Sequence, residues 1–187
     1  MVAQETMDVG LPSKMRMYQD GLDLVIVRRW FGVGTIVLTA FAAVWAGFLV
    51  FWYRHAPADP TSTAFWFPLL HVGAGVFISY AALAGWVNTT LVRVGQGRLS
   101  VKTAPLPFFR NWSLEAATLK QLYAKARQRS NGEGGSSTNY DLHAITNDGR
   151  NLKLVSGLDS SEQAVFLEQR IERQLGIQNV PVQGQIP

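Results

Sequence analysis

The sequence of 187 residues contains no cysteine. That excludes a disulfide-stapled scaffold, a thiolate zinc module, an iron–sulfur protein and a cysteine nucleophile. Charge is also sparse, at 16% of residues, against about 25% in an ordinary soluble domain. There are three histidines, His55, His71 and His143, with no pair at helical metal-ligand spacing and no HExxH motif. Phosphate loops of the GxGxxG or GxxxxGKS type are missing, and neither Ser79 nor Ser100 sits in a nucleophile elbow. The glycines at 132–135 precede a strand pattern, so no helix N-terminus awaits a phosphate there. Asp141 and His143 alternate on a strand, where such a pair can orient an imidazole. On an outward, wet face it arises often by accident. The sequence therefore predicts no catalytic residue, no metal and no cofactor.

What is abundant is apolar surface. Hydrophobic residues make up 48% of the chain and aromatics 11%, with six tryptophans, which excludes a disordered polymer. The surplus is concentrated in two runs, Phe31 to Tyr53 and Ala64 to Val87, neither of which holds a charged residue. Each exceeds the roughly 20 apolar residues that cross a bilayer core as helix. The short segment between them carries two prolines, so the pattern predicts a transmembrane hairpin over 31–87. Phe51, Trp52 and Tyr53, Phe65, Trp66 and Phe67, and Trp30 and Trp86 fall at the ends, where aromatic rings meet headgroups.

Charge predicts the orientation. Of seventeen Lys and Arg, only Arg54 lies between the runs. Lys14, Arg16, Arg28 and Arg29 precede the first run, and Arg93, Arg98, Lys102 and Arg110 follow the second. The positive-inside rule then puts both termini in the cytoplasm, with the two spans in an inner (plasma) membrane. The first run is too long, and ends in residues too bulky, for a cleaved signal peptide. The sequons at Asn88 and Asn111 then face the cytoplasm.

Small and polar residues recur at intervals of four: Thr35, Thr39, Ala43 and Gly47 in the first run, and His71, Gly75 and Ser79 in the second. Residues at i and i+4 share a helix face, and small ones let helices approach closely in lipid. These seven positions are the expected helix–helix interface, within the hairpin or with a partner's helix. His71 is the one ionisable group deep in the runs. It reads first as structural or interfacial; a proton-linked role and a ligand to a partner's cofactor remain alternatives.

Outside the runs the period changes to two. Lys14–Tyr18 and Leu22–Arg29 read as a hairpin about Asp20-Gly21, with residues 1–30 contributing strands to the same domain as residues 88–177. Strand patterns follow at Thr89–Val94, Arg98–Thr103, Leu122–Arg127, Tyr140–Ala144 and Leu152–Leu154. Turns are expected at Gly95-Gln96-Gly97 and Asn147-Asp148-Gly149, and a flexible loop at Ser130–Ser137. Leu22, Leu24 and Ile26 are expected to pack on Leu99, Val101, Leu142, Leu154, Leu167 and Ile171. Asp159 or Ser160 opens a helix with Glu162 or Gln163 closing a capping box; Ala164, Leu167, Ile171 and Leu175 form its stripe and Gly176 ends it. Residues 178–187 read as a loose tail.

Three segments together, GLDLVIVRRWF, NTTLVRVGQGRLSVKTAPLP and YDLHAITNDGRNLKLVSGLDSSEQAVFLEQRIERQLGI, resemble the bacterial pleckstrin-homology-like (PH-like) membrane proteins. The resemblance covers most of residues 14–177. It implies a partly open β barrel capped by one C-terminal helix and joined to a membrane hairpin, serving as a scaffold or in protein contacts. Eukaryotic relatives of the fold bind lipid headgroups, but the chain has no crowded basic loop that would carry that activity over.

Tyr123, Lys125, Arg127 and Arg129 fall two apart on one strand face and are the candidate headgroup contact; a solubilising strand edge is the plainer alternative. The small excess of positive charge argues against nucleic acid. The sequence thus predicts a non-catalytic membrane adaptor, an accessory or assembly subunit, with membrane lipids and other membrane-protein subunits as partners. The alternative is a sensor of anionic headgroups or a small ligand.

Overall fold

The computed structural model describes residues 10–55, 59, 61, 63–131, 135–180, 185 and 186. In order they form strands β1 (Met15–Asp20) and β2 (Asp23–Arg29), helices α1 (Val33–His55) and α2 (Thr63–Val87), strands β3 (Thr89–Gly95), β4 (Arg98–Ala104), β5 (Trp112–Glu115), β6 (Leu119–Asn131), β7 (Gly135–Thr146) and β8 (Asn151–Leu158), and helix α3 (Ser161–Leu175). The chain divides into two compact units. One holds residues up to 28, 90–103 and 109 onward; the other holds 29–89 and 104–108.

In the first unit, five strands form a sheet in the order β1-β2-β3-β4-β5, and three form a second in the order β6-β7-β8. The N-terminal hairpin is therefore part of the sheet. β1 and β2 pair from Met15↔Arg28 to Asp20↔Asp23, and Gly21, at φ 63°, supplies the left-handed residue their two-residue turn requires. β2 and β3 are neighbours, so α1 and α2 are an insertion between adjacent strands.

Alternation gives each sheet one apolar face. Ile26, Val92, Val94, Leu99 and Val101 from the larger sheet and Leu122, Ala124, Leu142, Ala144, Leu154 and Val155 from the smaller share a core with Ala164, Phe166, Leu167 and Ile171 of α3. Leu24 packs at its margin, whereas Leu22 sits in the turn with 76% of its surface exposed and takes no part. α3 starts where a capping pattern places it: Ser160 Oγ accepts from the Gln163 N–H at 3.3 Å, and Gln163 Oε1 accepts from the Asp159 N–H at 3.1 Å. Gly176, at φ 68°, ends the helix.

Three expectations are corrected. The segment 130–137 is not a loop throughout, because β6 and β7 continue pairing to Asn131↔Gly135; residues 132–134 lie outside the described residues. Backbone pairing carries a strand through Ser and Gly that side-chain preference alone would not. The segment after α3 is tied down where it is described: Ile186 N–H donates to Ala124 O at 3.0 Å, and Gln185 bridges to Lys125 of β6. Asp141 is 2% exposed and not on a wet face. It is held by the Gly157 N–H at 3.0 Å and Lys153 Nζ at 3.1 Å, with Arg127 Nη1 at 4.0 Å. Alternation still places Asp141 across from Lys125, on the face opposite Leu142; what buries the carboxylate is its cover by Lys153, Arg127 and the Gly157 N–H, beside the irregular β7–β8 ladder at Leu142.

In the second unit, α1 and α2 are two helices long and apolar enough to cross a membrane. Most of their large apolar side chains are exposed. Residues 104–108 belong with them. Asn88 Nδ2 donates to Leu106 O at 2.9 Å, and Asn88 Oδ1 accepts from the Leu106 N–H at 2.8 Å. Phe108 lies edge-on to Trp30 at 5.4 Å and stacks on Tyr80 at 6.1 Å.

Candidate interaction surfaces

The seam between α1 and α2 is built from a few close approaches. A Cβ placed on Gly85 would come within 2.8 Å of the Thr35 side chain, and one on Gly75 within 3.0 Å of the Trp45 ring. Hydrogen bonds complement this packing. Trp86 Nε1 donates to Thr39 Oγ1 at 2.9 Å, and the Thr39 hydroxyl donates to Thr35 O at 2.7 Å. Trp45 Nε1 donates to His71 O at 3.0 Å. The indole N–H groups of Trp45 and Trp86 thus each have an acceptor on the opposite helix.

Four of the seven residues expected at the interface are therefore brought together: Thr35, Thr39, His71 and Gly75. Three are not. Ala43 and Ser79 are exposed, and nothing lies within 4 Å of a Cβ at Gly47. The reason is geometric. Each step of four residues turns about 400°, so a strict four-residue row drifts about 40° per step and leaves the seam after two steps. A row of buried and half-buried positions in steps of three and four marks the seam: Thr35, Leu38, Ala42, Trp45, Leu49 and Trp52 on α1, and His71, Gly75, Ile78, Ala82 and Gly85 on α2. The His71 ring stacks on Trp45 at 5.8 Å, and its Nδ1 lies 3.3 Å from Phe67 O.

The expected basic stripe on β6 is divided by the structure. Tyr123 is buried. Its hydroxyl accepts from Asn151 Nδ2 at 2.6 Å and its ring lies 5.2 Å from that of His143, whose Nδ1 is 2.9 Å from Asn151 Oδ1. Lys125 and Arg127 are exposed, with Asp141 directly across from Lys125 and 4.0 Å from Arg127. Arg129 pairs with Ser137 in the backbone ladder. The bases near the helices are similarly engaged. Arg93 pairs with Asp20 at 2.6 Å and Asp23 at 3.1 Å. Arg28 is buried, donating to Gly157 O at 2.5 Å and to Asp159 Oδ1 at 3.4 Å. Burial draws the Arg28 guanidinium below its ordinary range, against the opposing pull of Asp159.

Sequence reasoning missed an acidic pair on α3. Glu168 and Glu172 are 3% and 6% exposed and sit against the outer edge of β6. Glu168 Oε2 accepts from the Ala124 N–H at 2.7 Å, and Glu172 Oε1 from the Leu122 N–H at 3.4 Å. The two carboxylates stand where the carbonyls of a neighbouring strand would otherwise be, two residues apart along β6. Glu168 Oε1 takes two further donors, Asn179 Nδ2 at 3.0 Å and Gln185 Nε2 at 2.7 Å. Burial raises both carboxyls above the usual range. Glu172 is pushed up to about 8, with repulsion from Glu168 adding to desolvation. A partial signal was available: Glu168 follows Ala164 by four residues and adjoins the stripe of Leu167 and Ile171, while Glu172, a second such step on, lies at its edge.

A cleft of about 200 Å³ lies between the inner face of β3–β5 and β8, lined by Thr90, Thr103, Arg110, Trp112, Lys153 and Ser156 among others. Arg110 stacks over the Trp112 ring at 4.5 Å. Both sequon asparagines serve the backbone, Asn88 as described and Asn111 by accepting from the Thr103 N–H at 2.9 Å. Among the described residues, no three His, Cys, Asp or Glu side chains group to hold a metal ion. No protein-family model matches the chain, and no curated protein matches it either.

Proposed function

We propose that the chain is a membrane-anchored, non-catalytic adaptor, an accessory or assembly subunit of a larger membrane complex. The observation that carries this reading is the insertion of an apolar two-helix hairpin between neighbouring strands of a polar β domain. Strands of one sheet directly precede and follow the hairpin in sequence, which supports both of its ends lying on one side of a bilayer, and the distribution of Lys and Arg favours the cytoplasmic side. Two antiparallel sheets closed by an amphipathic C-terminal helix support the PH-like, partly open barrel. The fold offers surfaces for contact, and the large exposed apolar side chains of α1 and α2 suit lipid or a partner's helices.

Reporter fusions at Ala58 and at the C-terminus test the topology and should report opposite sides; the same side for both overturns the two-span arrangement. Purification in mild detergent tests the adaptor. A stoichiometric membrane partner is the expected result, and a clean monomer under several extraction conditions counts against it.

The sensor reading draws on the cleft holding Arg110, Lys153 and three hydroxyl residues. It has less behind it, because Tyr123 is buried and Asp141 offsets the charge of Lys125 and Arg127. Flotation of the protein with liposomes, rising with anionic lipid and falling with salt, would favour it.

A further inference from the structure

β6 is the outer strand of its sheet, yet its edge beside α3 is not bare. Glu168 and Glu172 take the outward N–H groups of Ala124 and Leu122. The outward carbonyl of Ala124 is taken by a different element, the Ile186 N–H at 3.0 Å. Gln185 bridges to Lys125 in antiparallel register and passes its side-chain amide to Glu168, 2.7 Å away. Asn179 gives a second amide to the same carboxylate oxygen, and Gln121 Nε2 donates to Val180 O. Ile186 packs at the margin of the core.

This is an unusual way to fasten a chain end. Burying a carboxylate is costly unless donors surround it, and two of the three donors around Glu168 come from the segment after α3. Among the described residues it is held by the half-buried Ile177 and Ile186 at the core margin, by side-chain amides reaching a buried acid and by a strand-type backbone bond. Those are the contacts by which an extended peptide is recognised at a sheet edge: main-chain pairing for affinity and side-chain contacts for specificity.

We propose that the groove between the β6 edge and the Glu168/Glu172 face of α3 is an acceptor site for an extended segment of a partner protein. That segment presents a carboxamide side chain followed by an aliphatic one, and the chain's own Gln185-Ile186 is the resident, displaceable occupant. This goes beyond the adaptor reading and does not depend on it, since the groove is formed whether or not the hairpin recruits other subunits.

The test adds the peptide of residues 177–187, IQNVPVQGQIP, fluorescently labelled, to three forms of the detergent-solubilised protein: the intact chain, a chain ending at Gly176, and a full-length Ile186→Asp variant that detaches the segment without removing it. Fluorescence anisotropy reads binding, and thermal unfolding reads integrity. The resident segment competes at an effective concentration in the millimolar range. Saturable binding to the Gly176-ended chain or to Ile186→Asp is therefore expected at least tenfold tighter than to the intact chain. Glu168→Ala in the same background should abolish it, as should the peptide carrying aspartate in place of its isoleucine at 186. The proposal is overturned if neither emptied form takes up the peptide, whether because it stays folded and indifferent or because losing the segment unfolds the domain. Equal binding to the intact and emptied forms also overturns it, since that places the peptide elsewhere.

Discussion

The α1–α2 hairpin and the β domain use similar residues in opposite places. In the β domain the large apolar side chains are inside: Phe166, Leu99, Leu142 and Ile171 are essentially unexposed. In the hairpin they are outside, as with Phe41, Phe48, Leu70 and Phe77, while the residues kept from view include Thr35, Ala82 and Ala84. One region is organised by expelling water from apolar surface. In the membrane placement proposed above, the other gains nothing from hiding leucine or phenylalanine, and small residues at its seam allow close approach while a few hydrogen bonds join the helices. Charges follow the same division. Arg28, Asp141, Glu168 and Glu172 are buried in the β domain with hydrogen-bond partners, whereas α1 and α2 carry no acid and no base but Arg54 and the histidines.

The largest expected effect sets the same substitution in both regions. Phe166→Ala should cost the β domain about 3–5 kcal/mol, the usual toll of emptying a phenylalanine site in a core. Phe77→Ala, at a position 65% exposed, should stay within about 0.5 kcal/mol. Denaturation in detergent, followed by tryptophan fluorescence, compares them; equal losses would break the contrast. The next test sharpens it within the hairpin. Gly85→Leu drives a side chain into Thr35 and should destabilise helix association by roughly 1–3 kcal/mol. Gly47→Leu, which meets nothing within 4 Å, should be silent. Cross-linking between cysteines introduced on α1 and α2 of each variant would report the difference.

The third prediction concerns the buried acids. Folding raises Glu172 from an ordinary 4.5 to about 8, so the folded state binds the extra proton between those values. The slope of unfolding free energy with pH is then negative. The stabilisation is complete below about pH 4.5, falls as pH rises through about 8, and levels off above it. Glu172→Gln keeps an acceptor for the Leu122 N–H and removes the charge. At pH 8.5 it should stabilise the domain by on the order of 1 kcal/mol and flatten the decline of melting temperature with pH. A melting temperature that instead rose from pH 5 to pH 8 in the parent, with no change in slope in the variant, would refute this role. The smallest expected effect is Thr39→Ala. It removes the acceptor of Trp86 Nε1 but little bulk, and interhelical bonds of this type average about 0.6 kcal/mol. The same cross-linking assay should show only slight weakening.

Much of the architecture was legible because local chemistry dictates it. Ser160, Gln163 and Gly176 bound α3 by capping bonds formed within a few residues, and Gly21 and Gly149 mark turns that need positive φ. The interface residues were legible only in part. Thr35, Thr39, His71 and Gly75 are at the seam, but a four-residue row drifts around a helix of 3.6 residues per turn, carrying Ala43, Gly47 and Ser79 off it. The candidate headgroup face was legible as a period of two, yet Tyr123 on that face is buried against Asn151 and His143 of neighbouring strands.

By itself the sequence determined that two uncharged runs of bilayer-spanning length interrupt a chain that otherwise alternates as strands, because run length and periodicity are one-dimensional properties. It also determined the cap and stop of α3. The pattern also placed residues 1–30 and 88–177 in one domain, but only the tertiary structure decided that β2 and β3 are direct neighbours in one sheet. It alone decided that Asp141 is buried and that Glu168 and Glu172 meet the edge of β6 beside the segment after α3. Each depends on which distant residues arrive at one place. The cost of burying a charge is set by the donors found there, such as the Ala124 N–H and the Gln185 amide for Glu168, and not by its own neighbours in the chain.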